Sequence, residues 1–205
     1  MSLLSATPNT LLGRAQPKSG TARIAWNVAL IVLGSLLLAL SAQIKVPTWP
    51  VPVTLQTLAV AFVAAAFGAR IGVATVVLYL AEGLAGLPVF ASGGGPLYLF
   101  GPTGGFLIAY IPMAFVIGAA ADRSASSSFP KLFGAMLIGE AFVFGLGFFW
   151  LLALAGEASW IDQTRPIASA FEKAVQPFVI WDAVKMALAA IMVTGSFALL
   201  ETRKR

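Results

Sequence analysis

Two charged residues, Asp182 and Lys185, stand at the head of a long apolar run, in the sequence VIWDAVK at 179–185. A spacing of three residues puts both side chains on one face of a helix, about one turn apart. Placing a charged side chain at membrane depth costs roughly 2.5–3.5 kcal/mol. Such a residue therefore has a partner group, contacts water or serves a function. A carboxylate accepts N–H hydrogen bonds, and an ammonium group holds an oxygen. The pair predicts contacts to a small ligand; the alternative is a structural ion pair in which Lys185 extends toward the membrane interface.

Three further residues are candidate ligand contacts. Gln56 opens the second apolar segment and Glu82 lies toward the end of the third. For these two, helix capping or an interhelical hydrogen bond is the alternative role. Trp49 lies in VPTWPVPVTLQTLAV, where it either stacks on a ligand or anchors the chain at the membrane boundary, as tryptophan commonly does.

A glycine-rich stretch, ASGGGPLYLFGPTGG at 91–105, supplies Ser92 and Tyr98 as candidate contacts. Glycine lets a ligand approach the main chain closely, and the interleaved aromatic rings offer flat apolar surface. The Walker phosphate-binding pattern is absent from the whole chain. We expect this stretch to form a lid or pocket wall; a flexible outer turn is the alternative.

Two other features leave their roles open. Glu140 lies midway through the fifth apolar segment, where it has either a partner inside the bundle or a contact with another subunit. Ala25 and Ala29 form a small-x-x-x-small pattern, which permits close helix contact in lipid. They either dock a partner protein or reflect the abundance of alanine.

Composition dictates the setting of these residues. Of 205 residues, 59% are hydrophobic and only 10% are charged, whereas soluble domains have roughly a quarter charged residues. The chain is therefore predicted to be an integral membrane protein. It contains no cysteine and no histidine, which excludes disulfides, thiol nucleophiles, imidazole bases and the usual zinc ligands. We expect no metal and no cofactor.

The hydropathy pattern predicts an all-α membrane protein with six transmembrane helices. The apolar segments are 24–43, 53–69, 71–87, 104–121, 131–155 and 178–200. We expect residues 1–23 to be a cytoplasmic segment, 24–200 the six-helix domain and 201–205 a basic cytoplasmic tail. In bilayers every backbone group must be paired within the span, so helices are the default.

The placement of lysine and arginine predicts that both termini are cytoplasmic. Cytoplasmic loops are enriched in these residues. With the N-terminus inside, the inner side would hold Arg14, Lys18, Arg23, Arg70, Arg123, Lys131, Arg203, Lys204 and Arg205. The outer side would hold only Lys45, Arg165 and Lys173. The net charge of +5 is thus explained by topology and not by a nucleic-acid partner. The candidate ligand contacts then converge on the outer side.

Three stretches, in this order, resemble the BioY family: QIKVPTWPVPVTLQTLAV, GLPVFASGGGPLYLFGPTGGFLIAY and WDAVKMALAA. Its members are biotin-specific substrate-binding subunits of energy-coupling-factor (ECF) transporters. The resemblance covers most of residues 22–200. The chain departs from it at Ile180 and Trp181, where the family often has Pro-Gly, and in GPTGGF, where the commoner form ends in tyrosine.

The resemblance implies high-affinity capture of biotin at the outer face of the cell (inner) membrane by a multi-pass protein. It also implies that the chain functions together with a transmembrane coupling protein and two ATPases, although some bacteria carry the binding subunit alone. Asp182 and Lys185 match the family's ligand contacts, and Ala25 and Ala29 match its contact for the coupling protein. The resemblance implies that the chain is not an enzyme, because ATP hydrolysis would reside in the partner ATPases.

Other functions remain open at this point. A binding subunit for another small vitamin is the first, and a small oligomeric channel is the second. A membrane enzyme acting on lipid is the third, although the chain lacks histidine, cysteine and a repeated acidic motif for a metal.

Overall fold

The computed structural model of the protein describes residues 9–202. Within them, eight α-helices and one two-stranded ribbon follow each other along the chain. Their bounds are α1 Gly20–Gln43, β1 Lys45–Val46, β2 Val53–Thr54, α2 Gln56–Phe67, α3 Ala69–Leu84, α4 Pro96–Phe100, α5 Gly104–Asp122, α6 Phe129–Ala153, α7 Pro166–Ala174 and α8 Val179–Thr202. Single 3-10 turns lie at Gly13–Ala15, Ala125–Ser127 and Ala155–Glu157. Part of the expected N-terminal segment and most of the expected basic tail lie outside the described residues.

The predicted helical character is confirmed, and each of the six apolar segments contains a helix. Four helical stretches are long and apolar enough to cross a membrane: Gly20–Gln43, Gly104–Asp122, Phe129–Ala153 and Pro166–Leu200. The last one joins α7 and α8. Helices α2 and α3 have 12 and 16 residues. At 1.5 Å per residue they are roughly 18 and 24 Å long, short of the roughly 30 Å of a bilayer core.

The second apolar segment differs from its predicted bounds at its start. Val53 and Thr54 form an antiparallel ribbon with Lys45 and Val46, and α2 begins only at Gln56. The stretch KVPTWPVP contains three prolines, which lack the N–H that a helix interior needs, so the chain stays extended there. The peptide bond between Trp49 and Pro50 is cis.

Helix α5 forms the centre of the bundle, with α2, α3 and α6 packed around it. Small residues allow these close approaches. A Cβ on Gly118 would lie 2.7 Å from the carbonyl carbon of Gly68, and one on Gly105 would lie 2.8 Å from the carbonyl oxygen of Leu146. Such small-residue contacts are typical of helices packed in lipid. Large apolar side chains on α1, α6 and α8 face outward instead, as expected of surfaces in contact with lipid.

The two ends of the bundle have different structures. At the end where α2, α5 and α8 begin, here called the site end, lie the ribbon, α4 and α7. At the far end, the chain before α1 packs across the helix ends: the Leu12 N–H donates to the Ala66 carbonyl, and the Arg14 guanidinium lies 4.5 Å from the centre of the Phe197 ring. The expected N-terminal segment therefore contacts the bundle in its described part, and α1 already begins at Gly20.

Candidate functional site

A cavity lies at the site end, lined by the ribbon, the loop before α4, and helices α2, α4, α5, α6 and α8. Its polar lining comes from Thr54, Gln56, Thr57, Thr103, Asp182 and Lys185. Its aromatic lining comes from Tyr98, Phe106, Tyr110, Phe144 and Phe178. Small-molecule sites combine apolar walls with a few placed polar groups, so this cavity has the lining of a ligand site.

Asp182 and Lys185 form a buried ion pair in this cavity. Their exposed fractions are only 2% and 8%, and Lys185 Nζ lies 2.5 Å from Asp182 Oδ1. Asp182 lies in the first turn of α8, where the helix dipole favours a negative charge. The spacing of three residues on one helix accounts for the pairing. Lys185 therefore faces the cavity and its own helix partner rather than extending away from the bundle.

The second apolar segment completes the hydrogen bonds of this pair. The Thr57 hydroxyl donates to Asp182 Oδ1 at 2.8 Å, and Lys185 Nζ donates to the backbone carbonyl of Thr54 at 2.6 Å. Thr54 is held by the ribbon and Thr57 by the first turn of α2. The junction of β2 and α2 thus places a backbone carbonyl and a hydroxyl group beside the Asp182–Lys185 pair.

Gln56 connects the cavity to the loop that follows α3. Its Nε2 donates to the Tyr79 hydroxyl at 2.6 Å, and that hydroxyl donates to the Val89 carbonyl at 3.1 Å. Its Oε1 accepts from the Thr54 hydroxyl at 3.2 Å. Gln56 is only 3% exposed, so these hydrogen bonds fix the orientation of its side-chain amide.

The glycine-rich stretch forms one wall of the cavity. The Phe90 ring stacks on Tyr98 with centroids 5.1 Å apart, and Tyr79 meets Phe90 edge-on at 5.4 Å. Gly95 adopts φ +98°, which favours glycine, and its N–H donates to the Gly83 carbonyl at 2.7 Å. The turn therefore folds back onto α3 and holds Tyr98 in the wall.

The connection between α6 and α8 is ordered by a local group of polar residues. Hydrogen bonds from Thr164 and then from Arg165 lower the pKa of Asp162 to about 2. The Ser169 hydroxyl accepts from the Asp162 N–H at 3.1 Å, which ties this loop to α7. Asp162 therefore stays ionised across the ordinary pH range, outside the cavity.

Four of the seven predicted contacts line the cavity together: Gln56, Tyr98, Asp182 and Lys185. The other three lie outside its lining. Trp49 is 76% exposed in the ribbon turn, and Glu82 accepts a hydrogen bond from the Ser35 hydroxyl at the α1–α3 contact. Ser92 follows Ala91, which does line the cavity.

Several lining residues were not among the predicted contacts. Phe106 and Tyr110 lie four apart on α5, and Phe178 lies four residues before Asp182. That spacing, which puts side chains on one helix face, was the available signal. For Thr57 the only signal was its position directly after Gln56. Thr57 contributes to the site through its hydrogen bond to Asp182 on α8, which lies more than a hundred residues away in the chain.

The side chains that line the cavity are suited to hydrogen bonding and apolar contact with a ligand. Among residues 9–202, no group of three or more histidine, cysteine, aspartate or glutamate side chains is placed to hold a metal. The cavity offers one acid, one base, hydroxyls and aromatic walls, which suit a ligand that has N–H donors, an acceptor oxygen and an apolar body.

Comparisons with known proteins agree with one another. The model of the BioY family matches residues 14–202. Biotin transporter BioY2 of Lactococcus lactis is 34% identical over 167 residues, which are 81% of this chain and 87% of that protein. Biotin transporter BioY of Thermotoga maritima is 36% identical over 165 residues, which are 80% of this chain and 87% of that protein.

A solved structure has the same fold. The crystal structure of the S-component for biotin from an ECF-type ABC transporter superposes with a TM-score of 0.72 and 22% sequence identity. The similarity covers 92% of this chain and 96% of that chain. The helical arrangement described above is therefore the one seen in that structure.

Proposed function

The chain belongs to the BioY family, and on that premise we propose that it binds biotin with high affinity and brings it into the cell. The observation that carries the proposal is the buried Asp182–Lys185 pair inside a cavity with aromatic walls. The relatives that are 34–36% identical over most of the chain are biotin transporters by name, which supports the same ligand.

Biotin has a ureido ring with two N–H donors, an apolar thioether ring and a tail that ends in a carboxylate. In the proposed complex, Asp182 faces the ureido N–H groups and accepts a hydrogen bond from one of them, and Lys185 contacts an oxygen of the ligand. Tyr98 and the other aromatic residues of the lining pack on the apolar rings, and Gln56 holds the wall. Glu82, Ser92 and Trp49 lie outside the lining, so this assignment gives them no contact.

In the proposed topology, the chain spans the cell membrane six times, with both termini in the cytoplasm and the site end facing outward. Nine lysine and arginine residues on the proposed inner side, against three outside, support this orientation. Helices α2 and α3 are the short crossings. Short helices beside Gly/Pro-rich turns are typical of membrane binding sites.

The proposed partners are a transmembrane coupling protein and two ATPases, as in ECF transporters; transport by the subunit alone is the second possibility. No phosphate-binding motif occurs in the chain, so ATP-driven transport needs such partners. Ala25 and Ala29 are both exposed on α1, next to exposed Val28 and Leu33. A strip of small side chains on an apolar helix face suits close contact with another membrane helix.

Replacing both Ala25 and Ala29 with tryptophan is expected to reduce copurification of the coupling protein at least tenfold. The indole rings would hold the partner helix away from α1. The measurement is affinity purification of the tagged subunit coexpressed with its coupling module. Ala153→Trp, an exposed alanine at the end of α6, is the control and should leave copurification unchanged. Equal recovery with both variants would contradict the assigned surface.

The test of ligand identity is titration calorimetry of the purified protein in detergent with biotin, thiamine and riboflavin. We expect tight binding of biotin alone. A sample that is folded, monodisperse and unable to bind biotin would refute the proposed function. Tighter binding of thiamine or riboflavin would instead favour a subunit for another vitamin.

A further inference from the structure

Glu140 is a buried acid whose carboxyl oxygens accept no hydrogen bond from residues 9–202. It lies midway along α6, is only 3% exposed, and has both carboxyl oxygens fully buried. Among the described residues, no N–H or hydroxyl group donates to either oxygen. Buried carboxylates in proteins are almost always paired or hydrogen-bonded, so an ionised Glu140 would be exceptional at this position.

This side chain lies directly beneath the candidate ligand site. Val143 and Phe144, one helical turn after Glu140, line the cavity. The Glu140 carboxyl group lies within hydrogen-bonding reach of the Asp182 carboxyl group and also interacts electrostatically with Lys185. The buried acid therefore belongs to the same polar cluster as the ion pair.

Other ionisable groups around α6 do not supply a counter-charge. Tyr110 on α5 interacts with Glu140, but a phenol supplies no positive charge. Helix α2 contains no ionisable residue, and neither does the 3-10 turn Ala125–Ser127. Helix α7 carries Glu172 and Lys173, but it packs beyond the cavity, with Glu172 3.6 Å from Arg165. Among the described residues, Asp182 and Lys185 are the charged groups that interact with Glu140.

Two ionised carboxylates cannot hydrogen-bond to each other, because both are acceptors only. One of the two acids must carry a proton for them to lie together. Asp182 Oδ1 already accepts hydrogen bonds from Lys185 Nζ at 2.5 Å and from Thr57 at 2.8 Å. Glu140 has neither kind of donor. The proton therefore belongs on Glu140.

We propose that Glu140 is a protonated acid that donates its O–H to Asp182 and so positions the carboxylate that receives the ligand. The proposal rests on the function proposed above. With Glu140 neutral, the charges of Asp182 and Lys185 cancel and the cluster has no net charge. An ionised Glu140 would make the cluster negative, and it would repel the carboxylate of biotin. Glu140 is a positioning residue, because it acts on the ligand through Asp182.

The first test reads the proton directly and needs no ligand. The infrared spectrum of the ligand-free protein should contain the C=O stretch of a buried protonated carboxylic acid, and this band should be missing from the Glu140→Gln variant. A band that persists in Glu140→Gln and disappears in Asp182→Asn would put the proton on Asp182. That result, or the absence of any such band, would overturn the proposal.

The second test compares two replacements of similar size. In Glu140→Gln the amide N–H₂ can still donate to Asp182, so biotin affinity should stay within about threefold of the unchanged protein. In Glu140→Leu the donor is lost, and affinity should fall at least tenfold. Elution as a single species on gel filtration, with a cooperative melting transition, verifies that both variants fold.

The outcomes separate the two proposals. Equal loss of affinity in both variants would mean that a negative charge is needed at position 140. Unchanged affinity in Glu140→Leu would mean that the hydrogen-bond donor is not needed. Either result overturns the positioning role. If the unchanged protein fails to bind biotin, the proposed function fails, whereas the infrared test of the Glu140 proton still applies.

Discussion

Replacing Asp182 with asparagine is expected to weaken biotin binding by about 100-fold or more while the protein remains folded. Asparagine keeps the shape of the side chain and one oxygen but loses the negative charge. Hydrogen bonds to a charged group contribute about 1.5–3 kcal/mol each, and a ureido N–H group is proposed to donate to this carboxylate. A loss of about 3 kcal/mol corresponds to roughly a hundredfold change in the dissociation constant.

Titration calorimetry with biotin measures this change. The matched control is Asp162→Asn, which makes the same chemical replacement at the exposed acid of the α6–α8 connection, outside the cavity. Its affinity for biotin should lie within about twofold of that of the unchanged protein. If Asp182→Asn binds biotin as tightly as the control does, the ureido groups are not bound by Asp182.

Replacing Lys185 with methionine is expected to lower the free energy of unfolding by about 3–5 kcal/mol, the usual cost of removing one partner of a buried ion pair. Methionine has a similar length and flexibility, so little packing volume is lost. The Asp182 carboxylate would keep the Thr57 hydroxyl but lose its counter-ion 2.5 Å away. Thermal unfolding in detergent measures the effect, and Lys131→Met, at an exposed position in the first turn of α6, is the control.

The double variant Asp182→Asn with Lys185→Met distinguishes an ion-pair effect from a packing effect. Because it leaves no unpaired charge, it should be more stable than Lys185→Met alone, and it should still bind biotin poorly. A double variant that melts no higher than Lys185→Met would show that the stability loss comes from packing and not from an uncompensated carboxylate.

Helix positions were predictable from sequence because each long apolar run in lipid must pair its own backbone groups. The predicted segments at 104–121 and 178–200 agree with α5 and α8 to within two residues. The start of α2 was wrong by three residues, since the prolines before it keep Val53 and Thr54 in an extended ribbon. Apolarity alone does not distinguish such a strand from a helix.

The candidate site was predictable in part. Asp182 and Lys185 were identifiable because charges in an apolar run are rare and expensive, and their pairing follows from helical spacing. Their partners were not, since Thr57 donates to Asp182 across 125 residues of sequence. Trp49 was a plausible contact by residue type, yet the ribbon turn leaves it exposed.

Composition and motifs alone identify the chain as a membrane protein of the BioY family, locate its long apolar helices and single out the few charged residues within apolar segments. The contacts between distant residues are visible only in the folded chain: Thr57 lies beside Asp182, the Thr54 carbonyl beside Lys185, and Glu140 beneath both. The reason is physical. Lipid is as apolar as a protein core, so membrane helices are apolar on every face and their periodicity does not reveal the buried one. That choice comes from the close packing of small residues, such as Gly118 against Gly68, which joins segments far apart in the chain.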